Sequence, residues 1–483
     1  MHTQKSQTAK NVLIVGGGPA GLATALMLAK RGWKNITVLE QRVAADYYEP
    51  DKSFNYLIDG RGQKLIDFLG LSDELSKISV PSQKFYLTFI PANGSRKTLD
   101  LPIIDPNRKT AYWLPRKAFV LLLYQEIERN WQDSITVLFN TKCVQIKQQE
   151  RLEIIVESEK GDRSKLEPSL LVGCDGINSI VRNTIKEWDK STTDRFEMQL
   201  CPSPSANLRY KVLSLPPNFP LDYSGTEHAV CDAAYAIRGA LRERDRSVSL
   251  GILPIKNPDE VRTANIITPL KHEIWNLQTS EELSNFFEQA FPQLPMRQIV
   301  SSVEAERFLK SEGGYFPIPQ YCSGLYCLLP SDATGVVLLG DAIHCFPPDI
   351  GQGVNSALED VYVLHEALAK SDDNLSEALP VYESLRSADV KALVRLAQIA
   401  FPWQYNQDPF RQQLWSINFF LRLKLSQFLP YLFSPQAFFL IQNHRLSYKE
   451  ILDRVNLTTR NLYVVSLGVI LVILALLGVS YLT

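Results

Sequence analysis

Residues 11–40 read NVLIVGGGPAGLATALMLAKRGWKNITVLE. The run Val12–Val15 has the length and β-branched content of a buried strand, and residues 19–31, rich in Ala and Leu, suit a helix. A second apolar run at 36–40 completes a βαβ unit. Between strand and helix, Gly16-Gly17-Gly18-Pro19-Ala20-Gly21 fits G-x-G-x-x-G. Gly16 permits the tight turn, Gly18 lets the backbone approach a pyrophosphate, and Gly21 lets helix and strand pack closely. The helix start, with Ala20 in its first turn, offers free N–H groups and a positive dipole end to phosphates. Glu40 lies 19 residues beyond Gly21, placed for ribose hydroxyls, with Arg42 beside it. This is a dinucleotide cradle.

Working outward, residues 335–339 (GVVLL) form another buried strand, and residues 340–364 continue GDAIHCFPPDIGQGVNSALEDVYVL. A strand-terminal Asp341 suits the ribityl hydroxyls of a flavin. Gly351-Gln352-Gly353, with Val354 and Asn355, opens a helix running to about Lys370. Its first amides suit the pyrimidine edge and stabilise negative charge on a reduced flavin. Pro348 shapes the loop, while Gln352 and Asn355 are candidates to orient substrate or flavin carbonyls. Asp349 reads either as a helix N-cap or as a substrate contact. His344 reads as structural. No catalytic acid or base stands out, so Pro348, Asp349 and Asn355 are the pocket candidates.

This stretch resembles the ribityl motif of the FAD-dependent aromatic hydroxylases, the single-component flavin monooxygenases. Residues 171–182 (LVGCDGINSIVR) resemble that family's second signature. The resemblance implies roles for Asp175 and Arg182 in placing FAD and in nicotinamide approach. Within the family the layout most resembles the kynurenine 3-monooxygenase branch. Residues 52–71 (KSFNYLIDGRGQKLIDFLGL) and 114–119 (LPRKAF) carry the likeness, Arg116 matching a cofactor-contacting arginine. The substrate pocket departs from that branch. Phe85, with Lys84 adjacent, stands where an arginine should grip a substrate carboxylate. No tyrosine stands at 101–104, and Asp349-Ile350 replaces an aromatic pair.

The expected fold is α/β: a Rossmann-like FAD-binding domain of the aromatic-hydroxylase type with an interleaved antiparallel-sheet substrate domain. Residues 10–190 form the first part of the FAD domain, with a substrate-lobe insertion at about 80–112. Residues 191–325 form the substrate domain and 326–400 return to the FAD domain. An aromatic-rich helical region spans 401–459, with a transmembrane helix at 461–483. Helices are also expected at 61–71, 117–130 and 281–291, with β-rich stretches at 135–139, 152–158 and 247–253. The stripe of Phe401, Trp403, Tyr405, Trp415, Phe419 and Phe420 reads as core packing, a ligand box or a membrane-interface surface.

Residues 461–483 carry no charge. As a helix they would reach ~34 Å, enough for a hydrocarbon core of ~30 Å. Lys449, Arg454 and Arg460 precede them, so the positive-inside rule keeps the catalytic body cytoplasmic. A formal charge of −1 argues against a nucleic-acid surface. Seven scattered cysteines form no CxxC pair and suit a reducing compartment. No metal site is announced.

Only one nucleotide fingerprint is present, so NAD(P)H is expected to visit, reduce FAD and leave. The resemblance then implies O2 activation as a flavin C4a-hydroperoxide that hydroxylates an aromatic or other small apolar substrate. Two alternatives stay open: an FAD-dependent reductase or dehydrogenase of an isoprenoid or quinone-like substrate, and a non-catalytic membrane-anchored redox sensor. The W-x-W-x-I-P signature of halogenases is absent. Substrate, NADH against NADPH, membrane and oligomeric state are not legible.

Overall fold

The computed structural model describes residues 11–47, 49–52, 54–82, 85–101, 108–189, 191, 193–329, 334–405 and 407–482. Strand β1 (Val12–Val15), helix α1 (Pro19–Lys30) and strand β2 (Ile36–Leu39) make the opening βαβ unit. Helix α2 (Arg116–Glu126) leads into β3 (Ile135–Leu138), and β4 (Leu170–Gly173) into α3 (Ile180–Trp188). Strands β5 (Tyr326–Leu328) and β6 (Gly335–Leu338) complete a six-stranded sheet of order β5-β6-β4-β1-β2-β3. Every pair is parallel except the edge strand β5 on β6. Strands β1, β4 and β6 are buried throughout, which is why they read as unbroken apolar runs.

The register decides the rest. Val15 lies opposite Gly173 on one side and Leu39 on the other, and Gly173 lies opposite Leu338. The loops carrying Gly16–Gly21, Asp175 and Asp341 therefore leave the sheet side by side at its carboxyl edge, with Glu40 next in line. β2 lies on one side of β1 and β4 on the other, so this edge is a topological switch point, where α/β sheets bind ligands.

A second sheet has seven strands: Gly314–Tyr315, Arg209–Leu215, Arg262–Thr268, Ser249–Ile252, Ala234–Arg238, Phe85–Ile90 and Lys97–Leu101, in that order. The last two arrive from the first half of the chain. Antiparallel pairing was expected throughout, but Ala234–Arg238 runs parallel to Phe85–Ile90. The two strands come from distant segments, so no hairpin dictates their sense. This lobe has its own core, built on Phe286, Phe287, Phe291 and Phe308 among others. Lys84 and residues 102–104 lie outside the described residues, so the pocket departures there receive no structural account.

Several boundaries differ from expectation. The helix read over 61–71 ends at Leu69, and a second runs Ser72–Ile78, because Gly70 adopts a left-handed cap at φ 80°. The helix read over 117–130 is α2 followed by a π-helical turn, Ile127–Trp131. The apolar stretch 419–433 is helical only to Phe428, since Pro430 cannot continue the helix.

After α4 (Gly353–Lys370) come α5 (Leu375–Ile399), α6 (Pro409–Phe428) and α7 (Tyr448–Leu482). Helices α5 and α7, with the segment 437–446 before α7, share a third core that includes Leu393, Leu396, Ile441, Tyr448, Ile451 and Val455 and also takes in Ile350. Thus α7 does not start at 461. Its first turns are rooted in protein through Tyr448, Ile451 and Val455, and its apolar side chains are exposed without a break from Tyr463 to Leu474.

Candidate FAD site

The glycines fall into two groups. A Cβ on Gly16 would sit 2.3 Å from the Cys174 carbonyl oxygen, and one on Gly21 would sit 1.9 Å from that of Gly16. These glycines are needed for packing, and Gly16 also for its φ of 106°. A Cβ on Gly18, Gly351 or Gly353 would meet nothing within 4 Å. Open space therefore lies where the fingerprint wants a pyrophosphate and the second loop wants a ring edge. Neither α1 nor α4 has a side-chain cap, so both present bare amides to that space.

Glu40 is buried beside the cradle. Its carboxylate accepts N–H bonds from Gly17 at 3.0 Å and Arg42 at 2.8 Å, each oxygen retaining a lone pair for a ribose. Arg42 lies 3.6 Å from Glu40 and bonds Glu49 at 2.6 Å. Asp175 braces the first turn of α3, whose N-cap is Ser179, through Oδ2, which accepts from the Ile180 N–H at 2.7 Å, while Oδ1 has no protein partner. Burial pushes this carboxyl up. Asp341 follows β6 on a single 3-10 turn. It is exposed to solvent although protein surrounds it, as a side chain on a cavity wall should be, and its carboxyl is also pushed up by burial. Ala20 is small because the Gly340 turn, at φ 63°, passes close to it.

Arg116 opens α2 and lines two adjoining spaces. One borders Gly17, Glu40 and Arg42. The other, about 420 Å³, lies between the lobes and is lined by Phe54, Asn55, Lys117, Thr263 and Arg307 among others. Lys117 and Phe54 lie inside the stretches 114–119 and 52–71 quoted above but were not singled out there, and Tyr47 lies outside any motif. Tyr47, Arg116 and Lys117 line both spaces.

Four candidates have surroundings in the protein that the sequence did not show. Arg182 is buried and donates to the carbonyls of Ala342 at 2.9 Å and Ile177 at 2.8 Å. It ties the second and third loops together. Asn355 accepts from the Asp59 N–H at 3.0 Å and donates to Leu57 and Gly351 carbonyls. Gln352 donates to Asp59 at 2.8 Å and accepts from the Tyr448 hydroxyl at 2.8 Å. Both side chains hold the loop, leaving backbone amides for a ligand. Asp349 does not cap α4, whose N-cap is Gln352. Its two carboxylate oxygens are buried without a hydrogen-bond partner, close to Ser205, Gln404 and Tyr405. Burial raises its pKa to about 7. Pro348 starts the 3-10 turn over this loop, its ring exposed.

Beneath the loop lies a buried charge network that sequence reading missed. Asp360 accepts from Gly340 N–H at 2.8 Å, His344 at 2.9 Å and Arg386 at 2.6 Å. Glu359 accepts from Arg386 at 2.8 Å and Arg61 at 3.0 Å, and the Arg61 guanidinium sits 4.0 Å over the Tyr448 ring. Glu359 and Asp360 stood in the quoted motif, but Arg61 and Arg386 gave no signal of meeting them. His344 is thereby a structural member.

A family model described as FAD binding domain matches residues 9–204 and 331–397, more than half of the chain. The chain belongs to this family. It is a flavoprotein, and the cleft residues fit FAD: open glycines, two uncapped helix ends, and unpaired carboxylate oxygen at Asp175. The chain is similar to kynurenine 3-monooxygenase of Anopheles gambiae, 25% identical over 426 residues, covering 87% of this chain and 78% of that one. The Caenorhabditis briggsae kynurenine 3-monooxygenase is 22% identical, covering 92% of both chains. Its fold matches PqsL, a probable FAD-dependent monooxygenase from Pseudomonas aeruginosa, at TM-score 0.53 and 22% identity, covering 84% of this chain and 99% of that one. Aklavinone-11 hydroxylase in complex with FAD and aklavinone matches at TM-score 0.59 and 17% identity, covering 84% and 70%. This flavoprotein is an FAD-dependent oxidoreductase of the monooxygenase type.

Gly18→Leu separates cradle from fold. The added side chain has room in the protein, so the melting temperature should stay near that of the parent. FAD content, read as flavin absorbance per chain, should fall more than about tenfold, a loss of only ~1.4 kcal/mol or more in binding.

Proposed function

We propose that this protein is a membrane-attached FAD monooxygenase that hydroxylates an uncharged aromatic or other small apolar substrate. The balance is substrate–H + O2 + NAD(P)H + H⁺ → substrate–OH + NAD(P)⁺ + H2O. Bound FAD supplies hydride acceptance and oxygen activation. The protein supplies the amides of α1 and α4 as anion holders, Asp175 and Asp341 as polar contacts, and a cleft between two lobes that limits water. NAD(P)H is a visiting co-substrate, because the chain carries a single nucleotide fingerprint.

The observation that carries the substrate reading is Asp349. Its unpartnered carboxyl is buried on the loop that leads into the amides of α4. A substrate carboxylate there would meet a second acid in a dry site, which costs free energy unless a cation pairs it. The named relatives are kynurenine 3-monooxygenases, and kynurenine is a carboxylate. Oxygen-dependent NADPH oxidation by the detergent-solubilised, FAD-loaded protein tests the reading. Uncharged phenols and quinols should accelerate turnover with hydroxylated product, and L-kynurenine should not. Formation of 3-hydroxykynurenine at a comparable rate would defeat it.

Attachment rests on α7. Among the described residues it is the one helix long and apolar enough to cross a membrane, and from Tyr463 to Leu474 its side chains are exposed. Lys449, Arg454 and Arg460 stand on its protein-rooted side, and by the positive-inside rule this supports a cytoplasmic catalytic body.

A further inference from the structure

Helix α6 carries two faces. Trp415 stacks on Phe401 at 4.8 Å, Phe419 packs on Phe439 at 5.0 Å, and Arg422 is buried. That side faces protein. On the opposite side Phe410, Leu414, Ile417, Leu421 and Phe428 recur at helical spacing, and all are exposed, Phe410 and Phe428 by 70% and 77%. The stripe continues into the turn after the helix, where Leu429 and Leu432 are exposed and Tyr431 is 98% exposed. A contiguous apolar surface of this kind on a folded protein marks an interaction site.

Its position identifies the occupant. Arg422 donates to the Val455 carbonyl and to Thr459 Oγ1 at 2.9 Å, and Thr458 Oγ1 accepts from the Ser434 N–H at 2.8 Å. Asn461 donates to the Leu432 carbonyl at 2.7 Å. The exposed turn is therefore fixed at the level of α7 where its polar part ends and its uncharged apolar part begins. Lys424, Arg454 and Arg460 are exposed around the same level, matching an anionic headgroup layer.

We propose that the exposed face of α6 and the turn Leu429–Leu432 form a monotopic membrane contact, seated in the headgroup–acyl boundary of the bilayer that α7 crosses. The inference rests on the membrane reading of α7 and goes beyond it. A lone spanning helix leaves the catalytic body free to tilt and swivel. A second, in-plane contact fixes its orientation on the membrane.

The test uses the full chain reconstituted in vesicles of phosphatidylcholine with phosphatidylserine, comparing Tyr431→Trp and Leu471→Trp with the parent. The Tyr431→Trp signal should fall about twofold with lipids brominated near the headgroup, at a depth of ~5–10 Å, and less with deeply brominated ones. Leu471→Trp should show the reverse depth order. If Leu471→Trp is quenched and Tyr431→Trp is not, the monotopic contact is wrong while the anchor stands, and a protein partner or second copy covers the face. If neither is quenched, the anchor reading falls and takes this inference with it.

Discussion

Arg386→Met is expected to destabilise the full chain by about 3–5 kcal/mol, the usual cost of removing one partner from a buried ion pair. Arg386 is 1% exposed and holds Asp360 at 2.6 Å, Glu359 at 2.8 Å and the Ser356 carbonyl at 3.1 Å. Methionine fills most of the volume but leaves two carboxylates in the interior. Glu359 keeps Arg61, whereas Asp360 keeps only the Gly340 N–H and His344. Denaturant midpoints measure the effect, and a double variant with Asp360→Asn should recover much of it, because the stranded charge is then gone. A cost no larger than that of a surface substitution would mean that the network is solvated.

The effect should reach the cofactor. Asp360 bonds the N–H of Gly340, the residue before Asp341, so loosening it releases the ribityl turn. Burial alone would raise both Glu359 and Asp360, but Arg386 and the other cations outweigh it and hold both below their ordinary range. A carboxylate depressed in the folded state binds fewer protons there than when unfolded. The stability it contributes is present above about pH 4, the unfolded pKa, and is lost as pH falls through the folded value.

Asp349→Asn is expected to act with the opposite sign. Its carboxyl rises from 3.8 to about 7 on folding, with burial as the largest cause. Between those values the folded state binds more protons than the unfolded chain, so stability falls as pH rises. Asparagine removes that slope. The variant should match the parent near pH 4 and exceed it at pH 8 by up to about 4 kcal/mol, roughly three units at ~1.4 kcal/mol each. The groups nearest the carboxyl are Ser205, Gln404 and Tyr405, all uncharged, so no cation offsets the charge. Equal stability differences at pH 5 and pH 8 would show that the carboxyl is solvated or paired in solution. A natural protein that tolerates such a cost at a ligand-facing loop is expected to use the group there.

The FAD half of the fold was legible because its signals are local. A glycine turn between a buried strand and a helix specifies a cradle, and the acid at the end of the next strand follows from strand length. The three family motifs could be read at residues 16–21, 171–182 and 340–364 one by one. Their adjacency at the sheet edge came from the register of β1, β4 and β6, which no single motif encodes.

Tertiary structure alone decided the roles of polar side chains. Gln352, Asn355 and Arg182 have the chemistry to touch a ligand, and each side chain also bonds protein partners far away in the sequence. A hydrogen-bonding group serves whichever partner folding brings within about 3 Å, and sequence spacing says nothing of that. The same holds for Asp349, which the sequence leaves open between a helix cap and a substrate contact and which does not cap α4. The spanning segment was legible as composition, but its root was not. Tyr448 is an ordinary residue in the sequence and becomes the ring under Arg61, joining the apolar helix to the flavin loop. Periodicity and glycine placement act along the chain, so the sequence by itself determined the cradle and the elements. Partnership acts across it, so only the folded chain could assign who meets whom.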